Sequence, residues 1–249
     1  MPNSKFVGAR AKTKAAAGHF NRLEPILRAY TKNNQNAIIA DEVGGFIEIS
    51  CDLPALPPEA SIVAGEVVYQ LRSALDVMTC EMARWSGATD TSKTYFPMAR
   101  DQVFFDAPST QRKIAALSPD RQGLIQSLRP YDDADLLALN ALANFDRHDD
   151  LLKAIPSVKD TQWTLGGKDD GQPFRAEAWF RQPAPDEIGK ITFMRMPKVR
   201  PVEWGHFKLS LEFVFTLEGV NGEPVLPKLS MIGKRVAAII NEFERAENP

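Results

Sequence analysis

The chain predicts an α+β fold in which a central helical bundle packs with an antiparallel β-sheet. An N-terminal helix and β-hairpin precede the bundle, and an amphipathic C-terminal helix closes the chain. Three observations predict this. Apolar residues recur at helical spacing from about 61 to 153. After Pro156 the apolar period drops to two. It returns to helical spacing over 228–246. Helices followed by strands and then one helix argue for α+β rather than for an alternating α/β order. With 249 residues the chain has volume for one well-filled domain. Its expected parts are an N-terminal helix and hairpin (13–58), a helical core (61–153), antiparallel strands (160–220) and a C-terminal helix (228–246).

The elements follow in order. A first helix over 13–30 carries Phe20, Leu23, Ile26, Leu27 and Tyr30 on one side, with Pro25 as a bending point. "NAIIADEV" and "FIEISCD" are separated by Gly44-Gly45, which predicts a two-residue hairpin turn. "LPALPPEAS" is a stiff connector, and Ser61 is the expected cap of a helix over 62–85. Pro97 lies in the loop that leads to a second helix of the core, 101–116. Ser118-Pro119 pairs a capping residue with a proline suited to the first helical position. Asp132 or Asp133 caps the next helix, and Asp135 suits the positive end of its dipole. "FRAEAWFRQ", "KITFMRM" and "HFKLSLEFVFTLEG" are half-buried strands by their alternation. In the last of these Phe207, Leu209, Leu211, Phe213, Phe215 and Leu217 share a face. The closing helix buries Leu229, Ile232, Val236, Ile239, Ile240 and Phe243.

Composition narrows the function classes. Apolar residues make up 44% and charged residues 25%, ordinary values for a globular protein in water. A net charge of −2 and a pI near 6.0 give no global basic field for nucleic acid or an anionic membrane. No segment approaches the roughly 20 apolar residues that span a bilayer, and the basic start lacks the apolar run of a secretory signal. Cys51 and Cys80 are far apart and read as reduced thiols, so a cytoplasmic location is expected. No phosphate-loop, nucleophile-elbow or dinucleotide spacing is present, and no ligand spacing predicts a metal or cofactor. Trp163, Trp179 and Trp204 with Arg175, Arg181, Arg195 and Arg200 are a candidate aromatic and basic surface on the sheet.

Two polar groups interrupt the helical pattern. At about 100° per residue, Ala64, Val67, Val68, Leu71, Ala74, Leu75, Met78 and Met82 form the core stripe of "GEVVYQLRSALD" and its continuation. Glu66, Gln70, Ser73, Glu81 and Arg84 lie opposite and are expected to be wet. Arg72 and Asp76 occupy the arc between, with Tyr69, Thr79 and Cys80, and are flanked by Gly65 and Ala83, where another segment can approach. An exposed Arg-before-Asp pair contributes only a few tenths of a kcal/mol, so helix stability is a poor reason for it. On "NFDRHDDLL", Asn144 and His148 fall among Leu137, Ala141, Phe145, Leu151 and Leu152, with Asp146, Asp149 and Asp150 turned away. A buried amide or imidazole without a partner costs about 1–3 kcal/mol. The economical arrangement brings Arg72, Asp76, Asn144 and His148 together, Asp76 fixing a histidine tautomer and Arg72 facing an anion.

"GEVVYQLRSALD", "YFPM", "LIQSLRPY" and "LNALANFDRHDDLL" together resemble a widespread family of uncharacterised bacterial proteins. That family's pattern runs G-D-x-L-H-N-L-R-S-A-L-D, F-P-[IL], I-x-x-[LF]-Q-P-Y and L-x-x-L-x-x-x-D-K-H-R. The resemblance covers residues 60–153. This chain departs from it at Glu66, at Tyr69 and Gln70 in place of His-Asn, at Arg129 before Pro130, and at Arg147 and Asp149 around His148. More distantly it is similar to the HEPN superfamily of helical bundles, many of them metal-independent ribonucleases. That resemblance implies a nucleic-acid-directed function in bacterial stress or defence, either RNA cleavage or RNA binding. Together with the helical-wheel placement it makes His148, Arg72, Asp76 and Asn144 the candidate catalytic residues and Tyr69 and Arg147 candidate substrate contacts, with RNA or another protein as partner and a homodimer as one assembly. In place of the superfamily's R-x4-6-H, Arg72 supplies the charge from another helix. The alternative is a non-enzymatic interaction or ligand-binding protein whose Arg/Asp/Asn/His cluster is structural.

Overall fold

A computed structural model describes residues 5–34, 38–148, 152, 154–166, 189–197, 203–217 and 219–247. It is α+β with helix in the majority: α1 (Val7–Asn34), β1 (Ile38–Val43), β2 (Phe46–Leu53), α2 (Pro58–Trp85), α3 (Gln102–Asp106), α4 (Pro108–Gln111), α5 (Pro119–Ser127), α6 (Ala134–His148), β3 (Ala154–Gly166), β4 (Gly189–Pro197), β5 (Glu203–Phe215) and α7 (Val225–Ala246). Among the described residues no helix is long and apolar enough to cross a membrane.

The expected core of α2 is fully realised, each residue of its stripe being buried. All six apolar residues expected of α7 are buried as well. Leu136, Leu139 and Leu142 of α6 join them, with Phe96 and Ile114 from the connecting segments. Each such side chain contributes roughly 1.5–3 kcal/mol of burial. The hairpin turns at Gly44 and Gly45, whose φ values of +58° and +80° are the left-handed pair this turn needs.

Several expectations change. α1 runs well beyond 13–30 because its buried seam is Ala9, Ala16, Leu23, Leu27 and Tyr30. Alanines let two helices approach closely but give little apolar signal. α1 lies antiparallel along the α2 arc expected to be wet. There Gly8 N–H donates to Glu81 Oε1 (3.1 Å), and His19 Nδ1 lies 2.7 Å from Glu66 Oε2. Burial pushes the Glu81 carboxyl above its ordinary range, partly offset by the Gly8 N–H and Arg84. α2 starts at Pro58 rather than after Ser61, with Pro57 at the cap position and no side-chain cap. A proline at the first position is already set to helical φ and needs none. The single helix expected over 101–116 is two short ones, because Ala107 before Pro108 is extended (φ −60°, ψ 140°). Ser118 holds the cap position of α5 without a side-chain cap bond, whereas Asp133 accepts from Asp135 N–H and Leu136 N–H (both 3.1 Å) and caps α6.

The strands form two sheets among the described residues, not one. β4 pairs antiparallel with β2 and extends the hairpin in the order β1-β2-β4, while β3 pairs with β5. β3 begins at Ala154, earlier than the period-two signal, and carries Pro156 opposite Phe213. Phe213 and Phe215 of β5 enter the helical core, and the Phe213 ring meets Tyr30 edge-on at 5.6 Å. The candidate aromatic and basic surface is divided. Trp163 and Trp204 sit on the β3–β5 pair, whereas Arg195 is on β4, near Glu48 and over the Phe46 ring at 4.2 Å. The "FRAEAWFRQ" strand and Arg175, Trp179, Arg181 and Arg200 lie outside the described residues.

Candidate functional site

The Arg72–Asp76 pair holds a loop. The two side chains stand one turn apart on α2, Arg72 Nε 3.3 Å from Asp76 Oδ2, and are only 13% and 20% exposed. Between α2 and α3 the chain carries Phe96, whose ring is wholly buried. Phe96 lies in no helix or strand, so its backbone groups need partners from elsewhere. Its N–H donates to Asp76 Oδ1 (2.9 Å), and its carbonyl accepts from an Arg72 terminal nitrogen (3.1 Å). One acid and one base therefore grip both polar groups of a single residue.

This grip shapes a cleft of about 520 Å³. Arg72, Asp76 and Lys113 line it together with Thr110, which is itself buried. Met98 and Ala99 line it from the segment after Phe96. Tyr95 and Phe104, 45% and 46% exposed, and the still more exposed Arg100 stand at its outer edge. α6 contributes two amides one turn apart, Asn140 and Asn144.

The cleft thus joins three of the four residues expected to converge: Arg72, Asp76 and Asn144. His148 is the last residue of α6, one turn beyond Asn144, and its side chain and that of Arg147 lie outside the described residues. Asn144 is exposed, not buried in an apolar face. α6 packs against both α2 and α7. Its buried residues are Leu136, Ala138, Leu139 and Leu142, centred on the side of the helix roughly opposite Asn144. The amide therefore carries no desolvation cost that demands a protein partner. Tyr69 is half-exposed on α2 outside the cleft, with Lys12 Nζ 5.6 Å from its ring centroid. Cys80 donates to Thr94 O (3.3 Å), and burial raises its thiol pKa, partly offset by the Thr91 hydrogen bond and Arg84.

Arg100 and Lys113 were not singled out from the sequence. Both come from the 95–113 stretch, where Tyr95 and Phe104 alternate with basic residues, and that mixture was the available signal. Arg100 lies over the Phe104 ring at 3.7 Å. Burial lowers the Lys113 pKa, Arg72 lowers it further, and Asp76 pulls it partly back. Among the described residues the Lys113 ammonium makes no hydrogen bond or ion pair.

Asp146 does not turn away either, because its carboxylate lies against the backbone of Gly65 on α2. A side chain at residue 65 would overlap it. An interior Gly→Ala change in a helix ordinarily stabilises by about 1 kcal/mol. Gly65→Ala should instead destabilise by about 1 kcal/mol in a urea titration. Gly18→Ala in α1, where nothing lies within 4 Å of the added carbon, should follow the ordinary gain.

No family model matches the chain, and no curated protein or solved structure matches it.

Proposed function

We propose that this protein acts on nucleic acid through the cleft between α2, α6 and the 95–113 segment, which receives single-stranded RNA. The observation that carries the reading is the lining, where Arg72 (paired with Asp76), Arg100 (paired with Asp101) and Lys113 stand beside two part-exposed rings. Cations that meet phosphate and rings on which bases stack are the two parts of sequence-tolerant single-strand binding. The resemblance to HEPN proteins adds RNA cleavage without metal, with His148 moving the 2′-hydroxyl proton and Arg72 countering phosphate charge. It also suggests a cytoplasmic setting in bacterial stress or defence, and the same reading has the helices as one bundle layered on sheet.

Fluorescence anisotropy with a labelled single-stranded RNA tests the binding. If all three cations meet phosphates, log K against log salt has a slope of about −2. Lys113→Glu should weaken binding sharply with the fold intact by circular dichroism. Cleavage of the same RNA in chelator, abolished by His148→Ala, would establish the enzyme. Binding without turnover leaves an RNA-binding module. RNA affinity no greater than that of an unrelated acidic protein sinks both.

A second reading has its own observation. Arg72 and Asp76 both hold Phe96, which suits an interaction protein in which this pair only fixes packing. It predicts that Arg72→Lys lowers stability and leaves RNA affinity unchanged.

A further inference from the structure

Resting on the nucleic-acid reading, the geometry points to a narrower ligand: a nucleotide with a terminal phosphate monoester, its phosphate between Arg72 and Lys113 and its base against Tyr95 or Phe104. Size is the first argument. Grooves that track a strand engage roughly 4–16 nucleotides. A cleft of about 520 Å³ instead falls within the range that encloses one small ligand. It has room for a single nucleotide unit.

Charge is the second. Arg72 is paired with Asp76 and Arg100 with Asp101, which leaves Lys113 as the lining cation that makes no ion pair among the described residues. A phosphate monoester carries about −1.5 to −2 near neutral pH, whereas a diester inside a strand carries only one negative charge. Beside the Lys113 ammonium and the Arg72 guanidinium the monoester therefore gains more than a diester does.

The third argument is where each group sits. Arg72 is largely buried and already oriented by Asp76 and the Phe96 carbonyl. Lys113 is half-buried beside it, and its ammonium has no hydrogen-bond or ion-pair partner among the described residues. A partly dehydrated ammonium next to a guanidinium is unfavourable until an anion arrives. A phosphate bridging the two would relieve that repulsion and give the Lys113 ammonium an acceptor. Tyr95, Phe104 and Arg100 lie further out, where a base can stack. Asn140 and Asn144 offer neutral amides suited to ribose hydroxyls.

Calorimetric titration of the full chain with adenosine, its 5′- and 3′-monophosphates, and a five-nucleotide RNA with and without a terminal phosphate tests this. The phosphorylated probes should bind roughly tenfold or more tightly than their unphosphorylated counterparts. Lys113→Ala should erase that preference, and Lys113→Arg should keep most of it. Arg100→Ala, at an exposed position with little risk to folding, should weaken the phosphorylated probes by a smaller factor. Tighter binding of the mononucleotide assigns a free nucleotide as ligand, and tighter binding of the phosphate-ended RNA assigns a strand end. RNA that binds equally with and without its terminal phosphate overturns this inference and leaves the RNA reading standing. Absence of binding by every probe overturns both. A phosphate preference that survives Lys113→Ala overturns the assignment of the phosphate to Lys113.

Discussion

Asp76→Ala should lower the stability of the protein by about 2–3 kcal/mol, read as a fall in the urea midpoint at unchanged slope. The change removes the acceptor of the Phe96 N–H and a carboxylate partner of Arg72. Phe96 is wholly buried, so its N–H cannot simply turn to water without moving the ring. Breaking one side of a fully buried ion pair costs about 3–5 kcal/mol. The partial exposure of this pair places the effect below that range. Asp76→Asn keeps an acceptor oxygen for the N–H and should lose about half as much. In a double-mutant cycle Arg72→Ala and Asp76→Ala should be far from additive, because both act on one residue. The cleft should fail with the loop, since Tyr95, Met98 and Ala99 flank Phe96. Stability unchanged in Asp76→Ala would remove the structural role assigned to this pair.

Arg121→Ala should cost a similar 2–3 kcal/mol through a different knot. Arg121 of α5 grips Glu247 with two bonds (2.6 and 2.8 Å) and donates to Met82 O (3.2 Å) and Ser86 Oγ (2.8 Å) at the end of α2. Both partners of the ion pair are more than four-fifths buried. The Phe6 ring packs against Trp85 at 4.9 Å, and Lys5 donates to the Glu247 carbonyl, so the residues just before α1 and just after α7 meet at this point. The hydrogen bonds from Arg121 hold the Glu247 carboxyl below its usual range, against the opposing effect of burial. A folded-state pKa below the unfolded value means that the stabilisation is complete above about pH 4.3, the unfolded value. It is lost as pH falls through the lowered folded value. Wild type should therefore exceed Glu247→Gln in stability at pH 7, and the two should converge under acid. Glu81 titrates in the opposite sense, its raised pKa favouring the native state as pH falls. The difference between the two proteins, rather than either acid curve alone, isolates Glu247. A gap that stays constant down to strongly acid pH would rule out the charge as its source.

What could be read from the residues depended on where the physical information lay. α7 and the core of α2 were legible because each keeps one apolar stripe at helical spacing. The hairpin was legible because Gly44-Gly45 is a local backbone signal. α1 was only half legible, since its seam begins with Ala9 and Ala16, which mark a close helix contact without marking an apolar face. The separation into two sheets was hidden because strand alternation states which face is buried and nothing about which strand is the neighbour. The site divides in the same way. Arg72, Asp76 and Asn144 stood out on helical wheels and do line one cleft, but their reason for being there differs from the expectation. The pair holds Phe96, and Asn144 is open to solvent. Arg100 and Lys113 sit in the segment around α3 and α4, whose course follows from the anchoring of Phe96 rather than from any local periodicity.

The union of β4 with the hairpin has a consequence for synthesis. Gly189–Pro197 completes a sheet begun by Phe46–Leu53, so one long edge of the hairpin emerges from the ribosome well before its neighbour is made. Such a gap slows folding, because chain closure over a wide separation comes before any contact compensates it. Meanwhile the bare edge is a template for any other extended chain in reach. Ile47 and Ile49, buried in the finished protein, lie on that waiting strand. Chaperone dependence during expression should centre there.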